Sequence, residues 1–171
     1  MPIQRLNHAV LYVRDVDASV AFYSEILGFR PITHMSGKAA FMLAPGSTND
    51  HDLGLFQIGE GARPSAAGQT TVGLYHLAWE VDTLSELKRL RQALSDSGAL
   101  VGESDHSTTK ALYAKDPDGL EFEVCWIVPV DLLTEEVLER RVRIERLDPD
   151  AEIARYGANT PGLSMAVTAG T

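Results

Sequence analysis

The chain repeats itself, and the repeat restricts the fold more than any single motif. One stretch reads LNHAVLYV, with His8 in third place, and continues into DVDASVAFYSEILGF. Another reads LYHLAWEV, with His76 in third place, and continues into DTLSELKRLRQALSDSG. Each histidine is followed five residues later by a valine, then by an aspartate-containing turn and a helical pattern. Val20, Tyr23 and Leu27 lie at i, i+3 and i+7; Leu84, Leu87, Leu90 and Leu94 lie at i, i+3, i+6 and i+10. That spacing lines one face of a helix. Gly28 and Gly98 supply the stops, because a helix often ends on a left-handed glycine. The histidines are 68 positions apart and the glycines 70, an offset that implies duplication.

Short strand-like runs follow each helix, near residues 31–34, 39–43 and 53–58, then near 100–103, 111–115 and 120–128. Each module therefore reads β-α-β-β-β. Residues 60–70, rich in Gly, Pro, Ala and Ser, read as the linker between modules of about 1–59 and 71–128. Neither module buries both faces of its sheet alone. Side by side they would form one α+β domain over 1–128, a curved mixed sheet around a cleft. Residues 129–157 read as a helical extension. Thr134 is its N-cap, Leu133 and Leu138 its staple, and Asp148-Pro149 its stop. Residues 158–171 are small and polar and read as a mobile tail.

Charge and composition exclude several function classes. A net charge of -9 argues against nucleic acid as partner, since phosphate binding wants basic patches. No apolar run approaches the roughly 20 residues of a membrane span, and the first residues carry no signal-peptide pattern. The single cysteine, Cys125, allows no intrachain disulfide and fits a cytoplasmic protein. It reads as a small buried hydrophobe, with a thiol beside a metal as the sharper alternative.

The segment from His106 to Glu123 carries the chemistry. Pro117-Asp118-Gly119 suits a three-residue hairpin loop with a left-handed glycine. In that register Tyr113 faces Glu123, with Cβ atoms about 5 Å apart; a four-residue loop would set Tyr113 against Phe122. A carboxylate in mid-strand needs compensation, by a metal, a salt bridge or solvent. Glu121 competes with Glu123 for the metal role and ranks second, being nearer the turn. His8 and His76 occupy equivalent places in the two repeats. Two histidines and one carboxylate form the ligand set of a mononuclear non-haem iron site with open positions. Proton movement at neutral pH then wants an imidazole that is not a ligand, and His51 and His106 are the candidates. His34 reads as structural or exposed.

These residues make the chain resemble the vicinal oxygen chelate superfamily, and within it the single-domain type I extradiol dioxygenases of the catechol 2,3-dioxygenase kind. The likeness covers residues 1 to about 128. Its motif reads His106, Leu112-Tyr113, Asp116-Pro117, Gly119 and Glu123, with Ser104 as a departure two residues before the histidine. The resemblance implies His8, His76 and Glu123 as metal ligands and His51 as the acid/base histidine. It implies that His106 and Tyr113 bind the ionised catechol oxygen. It further implies Fe(II), or Mn(II), as cofactor, a small catechol and O2 as substrates, and a hydroxymuconic semialdehyde-type product. Homodimers are common in such folds. The alternatives are a glyoxalase-type lyase or epimerase, a fosfomycin-type transferase, and a metal-free binding protein. The lyases generally add a fourth ligand from about residues 53–58, where Gln57 is the available donor.

Overall fold

The computed structural model describes residues 2, 3 and 5–163. Contacts divide the chain into two compact units, Met1–Ser65 with Asp116–Gly119, and Ala66–Lys115 with Leu120–Thr171.

The first unit runs β1 (Ala9–Val13), α1 (Val16–Leu27), β2 (Arg30–Met35), β3 (Ala39–Leu43) and β4 (Leu53–Gln57). Its sheet has the order β1-β4-β3-β2. β1 is parallel to β4, and the other pairs are antiparallel. Asp15 caps α1 by accepting from the backbone of Asp17 and Ala18, and Gly28 ends it at φ 76°. Leu11, Val13, Val20, Tyr23, Met42, Leu53 and Leu55 are buried.

The turn 116–119 belongs to this unit. Asp118 accepts from Arg14 Nη1 at 2.8 Å and from Arg14 N at 3.1 Å. The buried Tyr23 hydroxyl donates to Asp116 Oδ2 at 3.2 Å. Burial, with the Asp116 charge second, holds the Tyr23 phenol well above its usual value. A raised native pKa gives stability that is complete below the unfolded value, about 10, and is lost as pH climbs beyond it. Tyr23→Phe should therefore cost about 1 kcal/mol at neutral pH, the worth of one hydrogen bond. It should also lose less stability than the unaltered chain between neutral pH and strong base. Urea unfolding across that range checks both.

The second unit repeats the first. It runs β5 (His76–Glu80), α2 (Leu84–Asp96), β6 (Leu100–Asp105), β7 (Thr109–Lys115) and β8 (Glu121–Ile127), with sheet order β5-β8-β7-β6. All four leucines of the helical stripe, Leu84, Leu87, Leu90 and Leu94, are buried. Phe122, Val124 and Trp126 of β8 are buried as well. Gly119 has φ 80°, and Tyr113 pairs with Glu123, the register of a three-residue loop. The α+β reading of two βαβββ modules holds, as two four-stranded mixed sheets.

The C-terminal extension differs from its sequence reading. A single helix ending at Asp148-Pro149 was expected. A single 3-10 turn (Val130–Leu132) and two short α-helices are present, α3 (Glu135–Arg140) and α4 (Pro149–Tyr156). Thr134 caps α3, as its sequence implies, by accepting from Val137 N. Asp148-Pro149 opens α4: Asp148 accepts from the backbone of Asp150 and Ala151, and proline occupies the first turn. Proline at N1 forfeits no helical hydrogen bond and presets φ, so Asp-Pro starts a helix as readily as it bars one. Residues 158–163 are hydrogen-bonded. Ser85 N donates to Ala158 O, Gly162 N to Asp82 O, and Trp126 Nε1 to Thr160 O. The rest of the expected mobile tail, 164–171, lies outside the described residues. No helix among the described residues is long and apolar enough to cross a membrane.

Candidate metal centre

β8 lies between β5 and β7, and this order assembles the site in the second unit. β5 is parallel to β8 with His76 paired to Glu121 and Ala78 to Glu123, so His76 and both glutamates share a sheet face. His76 Nε2 stands 3.1 Å from Glu123 Oε2. Two cis ligands of one ion, each about 2.1 Å from it, would stand about 3 Å apart. The pair therefore fits a metal as well as it fits a hydrogen bond. Glu121, the second candidate, is turned to Tyr75, whose phenol its charge pushes up.

Tyr113 reaches the same face from β7. Its hydroxyl is 3.1 Å from His106 Nε2. Ser104 Oγ closes the triangle, 2.8 Å from His106 Nε2 and 3.4 Å from the Tyr113 hydroxyl. The Tyr113 and His76 rings lie 5.9 Å apart. One face thus carries a histidine–carboxylate pair beside a phenol–imidazole–hydroxyl cluster. In the sequence Ser104 stands out only as a departure from the family motif. Alternation along β6 was the signal that could have placed it near Tyr113.

The first unit holds the other two histidines of interest. The His8 and His51 rings lie 4.4 Å apart. His8 Nδ1 is 2.8 Å from Asn7 Oδ1. Ligating histidines usually donate their second nitrogen to such an oxygen, which leaves Nε2 free for a metal. His76 lacks that tether; its Nδ1 is buried without a partner. His51 Nδ1 is 2.9 Å from Asp50 Oδ2, and its ring meets Phe41 edge-on at 5.1 Å. His34 is exposed and engaged with Asp17 at 2.5 Å. No three His, Cys, Asp or Glu side chains among the described residues stand grouped as a ready metal site.

Repeat equivalence shows how the modules differ. Val10 pairs with Gly54 where Ala78 pairs with Glu123, and Phe41 pairs with Gly54 where Tyr113 pairs with Glu123. The first module thus has glycine in place of the carboxylate and phenylalanine in place of the phenol. Gln57, the donor a four-ligand lyase would need, is occupied: its Oε1 accepts from Val16 N at 3.0 Å, at the start of α1.

Two side chains on the strands that carry the cluster are withdrawn from chemistry. Lys110 is fully buried and paired with Asp105 and Glu152, so it is no substrate-binding cation. Cys125 is buried, and burial with the Glu123 charge behind it pushes its thiol up to about 12. The buried-hydrophobe reading is the one this environment supports. A thiol reagent at pH 8 should leave Cys125 unmodified in the folded chain and titrate one thiol after unfolding.

The chain belongs to the glyoxalase/bleomycin resistance protein/dioxygenase superfamily, whose sequence profile matches residues 5–124. It is 30% identical over 122 residues to a catechol-2,3-dioxygenase of Bacillus subtilis (strain 168), an alignment covering 70% of this chain and 40% of that protein. It is 26% identical over 125 residues to the metallothiol transferase FosB of Staphylococcus saprophyticus, covering 71% of this chain and 76% of that protein. Among solved structures, a glyoxylase/bleomycin resistance protein/dioxygenase domain from Frankia sp. superposes with a TM-score of 0.61 at 25% identity, covering 72% of this chain and 92% of that one. A mutant of the fosfomycin resistance protein FosX from Listeria monocytogenes, 20% identical with a TM-score of 0.55, was solved with Mn(II) and 1S,2S-dihydroxypropylphosphonic acid.

Proposed function

We propose that the protein is an extradiol dioxygenase: it opens a catecholic ring with O2 and keeps both oxygen atoms in a hydroxymuconic semialdehyde-type product. The observation that carries this reading is the His106–Tyr113 pair, 3.1 Å apart on the sheet face that bears His76 and Glu123. A phenol and an imidazole in contact can share the charge of an ionised catechol oxygen. Neither a thiol transferase nor an isomerase has an evident need for that pair.

His76 and Glu123 would hold Fe(II), or Mn(II), and the equivalence of His8 to His76 in the sequence repeat makes His8 the candidate third ligand. Such a set leaves open positions for substrate. When bound, the ion supplies Lewis acidity and the one-electron chemistry that lets dioxygen react with a ring. Tyr113 and His106 orient the catechol through one oxygen. His51, tethered by Asp50, exchanges protons with the substrate. The commitment of Lys110 to Asp105 and Glu152 favours a neutral ring over a strongly anionic one. With Gly54 at the carboxylate-equivalent position and Gln57 engaged at α1, a lyase or epimerase lacks its fourth ligand.

Incubation of the iron-loaded protein with catechol, alkylcatechols and carboxylated catechols in air tests this reading. A yellow product two oxygen atoms heavier than its substrate is expected, fastest with an uncharged ring. Colourless products, or unchanged catechol throughout, would overturn it.

A further inference from the structure

The C-terminal extension grips one turn of the chain, and that turn carries His106. Asp105 and Glu145 exchange both backbone hydrogen bonds, each 2.9 Å long. Ser107 Oγ donates to the carbonyl of Val137, in α3, at 2.9 Å. The Lys110 ammonium stands 2.6 Å from Asp105 Oδ1 and 2.8 Å from Glu152 Oε2, in α4. The Glu152 contact is an ion pair out of line for a hydrogen bond. Asp105 Oδ1 also accepts from Ser107 N at 2.7 Å. Within the turn, His106 N donates to Thr109 O, and Thr108 N donates to His106 O. The main chain of His106 is therefore fixed on both sides.

Ser107 is the one non-glycine residue among those described with a positive φ, 66°. A side chain is disfavoured there, and such a conformation persists only where its surroundings impose it. Here the Asp105 carboxylate and the Val137 carbonyl impose it. The far side of the grip is itself anchored: Lys88 pairs with Asp150 at 2.5 Å, and the Tyr156 ring lies 5.5 Å from that of Trp126. Lys110 tolerates full burial because carboxylates flank it, so removing one reaches directly into the turn.

We infer that the extension is a positioning brace for His106. Glu152, acting through Lys110 and Asp105, and Val137, acting through Ser107, set the direction in which His106 presents Nε2 to Tyr113 and to the substrate oxygen. This rests on the extradiol reading for its catalytic consequence. A displacement of about 1 Å in a reacting group can cost on the order of a hundredfold in rate.

The test uses the full-length iron-loaded protein carrying Glu152→Gln or Ser107→Ala, each alone and each combined with His106→Phe. Either single change should lower kcat roughly tenfold to a hundredfold, with iron content and KM within about twofold of the unaltered chain. In the His106→Phe background neither should lower kcat by more than about twofold, because residues acting as one unit are not additive. Equal losses in both backgrounds, or no loss in either, would overturn the brace. An independent readout is the His106 ring proton resonance in the metal-free protein. It should move in Glu152→Gln while that of His34, on the other unit, stays; an unmoved His106 signal rejects the brace. If the unaltered chain opens no catechol, the extradiol reading fails and this resonance alone decides.

Discussion

Glu123→Ala should leave the protein without retained iron and without ring cleavage, while Glu121→Ala should keep both. The two glutamates share one face of β8, two residues apart, yet their partners differ. Glu123 Oε2 lies 3.1 Å from His76 Nε2 and its residue is paired with Tyr113, whereas Glu121 is directed to Tyr75. Removing Glu123 takes away the one carboxylate of the proposed set and leaves two imidazoles, which hold Fe(II) weakly among oxygen and nitrogen competitors. The check is iron per chain after anaerobic loading and gel filtration, with circular dichroism to confirm the fold. The opposite pattern, full loading in Glu123→Ala and none in Glu121→Ala, would transfer the ligand role to Glu121.

His51→Phe should retain iron and lose turnover by about 10²- to 10⁴-fold, the range for removal of a general acid/base group. The His51 ring is 4.4 Å from that of His8 and 5.1 Å from that of Phe41. A phenyl ring keeps this aromatic packing and removes the ring nitrogens with their Asp50 contact. The loss should therefore fall on kcat, with metal content and folding unchanged. Turnover close to that of the unaltered chain would strip His51 of its role. Iron loss in this variant would instead make His51 a support for His8.

The repeat was readable because both helices carry their apolar stripe at helical spacing and a left-handed glycine follows each, Gly28 directly after α1 and Gly98 after the Ser97 cap of α2. The hairpin register was readable for a local reason as well. Pro117-Asp118-Gly119 suits a three-residue loop better than a four-residue one, and the three-residue loop sets Tyr113 opposite Glu123. The Asp148-Pro149 step misled, since the same two residues bar a helix before them and cap one after them. What sequence could not reach is the grip on His106. Its parts, Asp105, Ser107 and Lys110 on one side and Val137, Glu145 and Glu152 on the other, meet only through tertiary packing. Nothing near Lys110 in the sequence announces Glu152, its second partner, 42 positions further on.

Oxygen uptake by the anaerobically Fe(II)-loaded protein, on addition of a limiting amount of catechol, tests the central claim most directly. One O2 should be consumed per catechol, with a yellow product rising at the same rate and neither event in Glu123→Ala. Iron bound at full occupancy with no oxygen consumed on any catechol would contradict that claim.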